Sequence, residues 1–162
     1  MDSLKEIEKS EKWEIIDIGK ISELANKKFS SLFPTTKGKF FLGDYLNLKT
    51  MDVSINVLKP GYVNPYLHVH RYHEEVYIFL EGEGEMMIGD KVIKVKEGYI
   101  VRVDPEVKRG VRNPDSSQSN LVFICVRAQG QFNRLDGEGA GPVLGVDGWS
   151  YDKIIEKAKK KV

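Results

Sequence analysis

The 162 residues include a single cysteine, only three histidines and no long apolar run. With Cys125 alone, no intramolecular disulfide can form, and a reducing compartment fits. The thiol lies in LVFICV, where a small buried hydrophobe is the default role and no local residue offers an activating base. No stretch approaches the roughly 18 apolar residues of a membrane-spanning helix. The opening segment, MDSLKEIEKSEKW, lacks the apolar centre of a signal peptide. The expected location is therefore cytoplasmic, with no membrane partner. Charge of one sign is not in excess either: 25 basic residues face 24 acidic ones, for a net +1. A general nucleic-acid binder usually carries a basic surplus, so nucleic acid is not an expected partner. The basic end, KIIEKAKKKV, reads as a solvated helix face or a frayed tail.

What the chain does have is enough length for one sizeable core and a run of short strands. Residues 1–10 are polar and read as frayed or weakly helical, WEIIDIG as a short strand, and ISELANKKFSSLF (21–33) as a helix closed by Pro34. Strand-like segments follow: FFLGDYLNL (40–48), MDVSINVLK (51–59), YLHVHR, EVYIFLEG, EMMIGDKVIKV as a hairpin through Gly89-Asp90, GYIVRV (98–103), GVRN and LVFICVRA (121–128). In MDVSINVLK, Val53, Ile55 and Val57 take one face, and Ser54, Asn56 and Leu58 the other. Short strands at regular spacing, punctuated by glycine and proline, predict an all-β sandwich or barrel of jelly-roll type. Three parts result: an N-terminal extension (1–39) with a short strand and helix, a barrel (40–128), and a C-terminal arm and helix (129–162).

All three histidines fall between His68 and His73. On a strand, His68 and His70 share a face, and Glu75, just past a turn, can swing in beside them. Two neutral imidazoles and one carboxylate make a ligand set for a divalent metal. By the same alternation Tyr66 faces inward with the histidines, Tyr77 and Phe79 follow Glu75, and Arg109, Val111 and Asn113 share a face. Aromatic walls with a few convergent polar groups suit a small-molecule site. Tyr66, Tyr77, Arg109 and His73 are the ligand-binding candidates; Phe79 reads as plain core and His73 first as a turn residue. Glu74 alternates outward, and Arg102 is a second candidate source of positive charge.

GYVNPYLHVHRYHEEVYIFLEG resembles the first signature of the cupin superfamily. His68-x-His70, four residues, Glu75, six residues and Gly82 all match it. GYIVRVDPEVKRGVRN (98–113) resembles the second, with Gly98, Pro105 and Asn113 in place. Its histidine is absent, and Arg109 stands at that position. The resemblance covers residues 40–128 and implies a double-stranded β-helix, a jelly-roll barrel. It also implies a pocket that usually holds a metal (Fe, Mn, Zn or Ni) and a homodimer. An arginine cannot ligate a cation, so three outcomes stay open. A metal binds His68, His70 and Glu75 while Arg109 leans aside. Or no metal binds, and Arg109 pairs with Glu75 or with an anionic ligand. Or the pocket is a relic. The first gives the leading expectation: a metal-centred pocket for isomerase or oxygenase chemistry on a small polar or anionic metabolite. The alternative is a non-catalytic module that binds an organic acid or sugar without metal.

Overall fold

The computed structural model describes residues 5–27, 37–62, 67–70 and 73–128. Among these residues, strands dominate: β1 (Lys5–Lys9), β2 (Glu14–Asp17), β3 (Lys39–Phe41), β4 (Met51–Leu58), β5 (Glu75–Glu81), β6 (Glu83–Ile88), β7 (Lys91–Lys96), β8 (Ile100–Val103), β9 (Arg109–Arg112) and β10 (Leu121–Ala128). A five-stranded sheet, ordered β3-β4-β10-β5-β8, faces a three-stranded sheet, ordered β7-β6-β9. Between them lies the main core, in which Tyr77, Phe79 and Phe123 of the large sheet meet Met86, Val95 and Val111 of the small one. This is the expected all-β barrel.

The alternation read in β4 has a physical consequence. Leu58 joins the barrel core. On the opposite face, Ile55 and Val57 pack with Leu24, Ala25, Phe40 and Val122 in a second cluster outside the sheet. The large sheet is therefore covered on both faces in this region, which is why β10 carries apolar residues at successive positions, while β4 places Ser54 and Asn56 between its apolar ones.

Several local expectations need correction. Residues Lys5–Lys9 are neither frayed nor helical; they pair antiparallel with β2. Cross-strand pairing, with Ser10 capping the turn by accepting from the Lys12 and Trp13 N–H groups, overrides their polar composition. In place of a helix over 21–33, a 3-10 turn spans Ile21–Asn26 and buries Leu24 and Ala25; residues 28–36 lie outside the described ones. The strand expected over 40–48 stops at Phe41 and passes into a 3-10 turn, Leu42–Asp44. Among the described residues of YLHVHR, 67–70, no strand runs on; His68 forms an isolated bridge. The C-terminal arm and helix also lie outside the described residues.

One glycine is required by the barrel. Gly82 joins β5 to β6 at φ 80°, and a Cβ there would collide with the Asn120 carbonyl oxygen. Only glycine tolerates both the left-handed backbone and the close approach.

Candidate metal centre

Glu75 opens β5 and points inward in alternation with Tyr77 and Phe79; all three are buried. Arg109 opens β9 on the facing sheet. His68 is pinned opposite it by a pair of backbone hydrogen bonds: each N–H donates to the other's carbonyl at 3.0 Å. Two residues on, the His70 carbonyl accepts from the Glu106 N–H at 2.7 Å. These two anchors do what a continuous strand was expected to do, holding both imidazoles on one side.

The side chains then converge on the Glu75 carboxylate. Its Oε1 lies 3.1 Å from His70 Nε2, and its Oε2 lies 3.9 Å from His68 Nε2. Oε2 also accepts from the Tyr77 hydroxyl at 2.6 Å and from Arg109 Nε at 3.0 Å. Arg109 is fully buried, and its remaining nitrogens donate to the carbonyls of Val107 (2.7 Å) and His73 (3.4 Å). The guanidinium is thus committed within the protein.

The electrostatics favour the neutral form of both imidazoles. Burial pushes His68 down to about 3; Glu75 opposes this, while His70, Lys39 and Arg109 add to it. Burial lowers His70 too, against the pull of Glu75. For Glu75, burial alone would raise the carboxyl, but the His70 contact and the cationic field of Arg109 outweigh it and hold the group well below the usual range. The Tyr77 hydroxyl is raised well above its ordinary value by burial first, then by Cys125 and Glu75, and stays a hydrogen-bond donor.

The family description "Cupin domain" matches residues 55–126, which span the histidines, Glu75 and Arg109. Among solved structures, a cupin protein from Bacteroides fragilis is 29% identical, with a TM-score of 0.53 over 67% of this chain and 88% of its own. This protein contains a cupin domain. The cupin barrel also superposes on a Klebsiella pneumoniae protein with a double-stranded β-helix domain (21% identity, TM-score 0.54, 72% of this chain, 92% of that one). A Thermus thermophilus protein matches at 24% identity and a TM-score of 0.52, over 68% of this chain and 95% of its own. At such identities these two share the fold alone. No curated protein matches the sequence.

His68, His70 and Glu75 form a group that could hold a metal ion, their ligand atoms all lying within 4.8 Å of one another. The donor chemistry fits: two neutral imidazoles and an ionised carboxylate whose Oε1 meets His70. The Arg109 bonds run to Oε2 and to backbone carbonyls, not to Oε1. The His70 Nδ1 atom is buried, and among the described residues no hydrogen-bond partner holds that ring from behind.

The other expected residues are spread more widely. Tyr77 sits within the cluster, while Tyr66 lies outside the described residues. His73 is buried rather than on a surface turn, its Nδ1 2.6 Å from the Ala128 carbonyl, so the ring ties the histidine segment to the end of β10. Asn113 ties the end of β4 to the loop before β10, donating to the Leu58 and Ser119 carbonyls at 2.9 Å each. Arg102 does not reach the pocket; it is exposed and pairs with Glu74 and Asp104 on the outer surface. A cavity of about 30 Å³ opens beside Glu75, lined among others by His68, Tyr77, Lys39 and Asn56. Lys39 and Asn56 were not foreseen as site residues. Lys39 falls just before the strand assumed to start at residue 40, although its alternation with Phe40 would have placed it inward.

Proposed function

We propose that the cupin pocket holds one divalent metal between His68, His70 and Glu75, and acts there on a small polar or anionic metabolite by isomerase or oxygenase chemistry. The carrying observation is the meeting of three ligand atoms within 4.8 Å, beside a cavity of about 30 Å³ with room for water-sized groups. A metal so held supplies Lewis acidity or oxygen activation. The chain's own groups prepare the site. Tyr77 and Arg109 lock Glu75 in orientation and leave Oε1 facing the imidazoles. Val111, Phe123 and Leu58 wall the cavity with apolar surface and limit water. His68 lines the cavity and is more exposed than His70.

A specific observation supports a second, metal-free reading. The Glu75 charge is already offset by Arg109, and the carboxylate already has hydrogen-bond donors. In that reading the pocket binds a small organic acid or sugar without metal. Metal analysis of the purified protein after reconstitution with Fe²⁺, Mn²⁺, Zn²⁺ or Ni²⁺ separates the two. About one ion per chain, lost in His68→Gln, supports the metal centre. No retained ion under any of the four conditions removes it and leaves the metal-free pocket.

A further inference from the structure

We propose that Lys39 is the anion anchor of the pocket, and that the ligand class it selects is a small organic carboxylate rather than a neutral molecule or a phosphate. This inference rests on the ligand-pocket reading above but not on the metal. Lys39 opens β3, the edge strand of the large sheet, directly opposite Asn56 on β4. Its neighbour Phe40 faces the outer cluster with Ile55, so the alternation turns Lys39 to the inner face. Lys39 and Asn56 line the cavity that His68 and Glu75 also line. Of these, Lys39 and His68 are partly exposed while Asn56 and Glu75 are buried, so Lys39 lies on the more open side of the cavity and Glu75 on the more enclosed one.

The backbone fixes this placement. Gly38, at φ 71°, donates to the Lys27 carbonyl and accepts from the Val57 N–H, and a Cβ there would collide with the Val57 carbonyl oxygen. Lys39 Nζ lies 4.7 Å from the Phe41 ring centroid, and among the described residues no carboxylate pairs with it. Arg109, the cation expected to meet an anion, is fully buried and bonded to Glu75 and two carbonyls. The pocket's remaining positive charge is therefore Lys39. A single ammonium facing the Glu75 carboxylate matches the one charge of a carboxylate better than the higher charge of a phosphate. An inward charge on an edge strand can also serve to prevent sheet-to-sheet pairing between copies. The test has to separate that role from ligand binding.

Calorimetric titration of the full chain with acetate, glycolate and pyruvate, with their neutral amides, and with inorganic phosphate provides it. The expected result is binding of at least one carboxylate in preference to its amide, weakened about tenfold or more in Lys39→Gln and restored toward wild type in Lys39→Arg. Melting temperature and sedimentation are measured on the same variants. Unchanged carboxylate affinity in a folded Lys39→Gln, no preference over the amides, or tighter binding of phosphate overturns the proposal. Each titration is run on chelated and on metal-loaded protein. Lys39-dependent binding in both states sustains the anchor even if the metal centre fails, and retained metal without Lys39-dependent binding sinks the anchor alone.

Discussion

Arg109 Nε donates to Glu75 Oε2 across 3.0 Å at a place where the guanidinium has no exposure to solvent. The residue that stands where the second cupin signature has a histidine thus holds the candidate acidic ligand in position. Removing one partner of such a pair leaves the other buried without compensation, a loss of about 3–5 kcal/mol. Arg109→Met is expected to destabilise the fold on that scale in urea denaturation. The double variant Arg109→Met/Glu75→Gln is expected to lose less than the sum of the singles, because the two costs share an origin. A single-variant loss below about 1 kcal/mol would show that the pair contributes little to stability.

The sequence made the barrel legible for a concrete reason. LVFICVRA coincides with β10, and MDVSINVLK and EVYIFLEG match β4 and β5 to within a residue, because hydrophobic alternation and flanking turn residues set both ends. The cluster of His68, His70 and Glu75 was legible from spacing, although His68 and His70 are held by the Arg109 and Glu106 backbones rather than by a strand. The partner of Arg109 could not be chosen from sequence, since it depends on how the two sheets face each other. Arg102 was misplaced because its strand neighbours do not reveal that Glu74 and Asp104 draw it outward. The β1 strand was missed because a polar strand has no apolar alternation to reveal it; its partner β2 supplies the pairing.

Arg109→His restores a nitrogen donor where the second cupin signature has one. The backbone pairing of residue 109 with His68 would aim that imidazole toward the same cluster. The expected outcome is metal retention at least about tenfold tighter in competition with a chelator, set against some loss of fold stability from the missing guanidinium. Unchanged retention in a folded variant would show that position 109 does not face the ion.

Gly82→Ala tests the junction between the two sheets. The left-handed φ of 80° and the collision with the Asn120 carbonyl both oppose any side chain. A loss of about 2 kcal/mol or more is expected. Chemical denaturation checks it, with Gly89→Ala as the control: Gly89 also has a positive φ, 57°, but no atom lies near its missing Cβ, so only the backbone part of the cost should remain.

Cys125 reports whether the pocket opens in solution. It lies on β10 opposite Tyr77, lines the cavity and is 8% exposed. Burial pushes its thiol up, and the neighbouring Glu75 charge pushes it further, so the reactive thiolate is scarce. Native protein is expected to resist a thiol-specific reagent such as 5,5′-dithiobis-(2-nitrobenzoate), with the single thiol titrating fully only after denaturation. The slow native rate then measures opening of the barrel wall. A ligand or metal seated beside Glu75 should slow it further, because any species that binds only the closed pocket shifts the population away from the open one. Fast native labelling, unaffected by added ligand or metal, would mean that this wall stands open and that Glu75 and the histidines face bulk water.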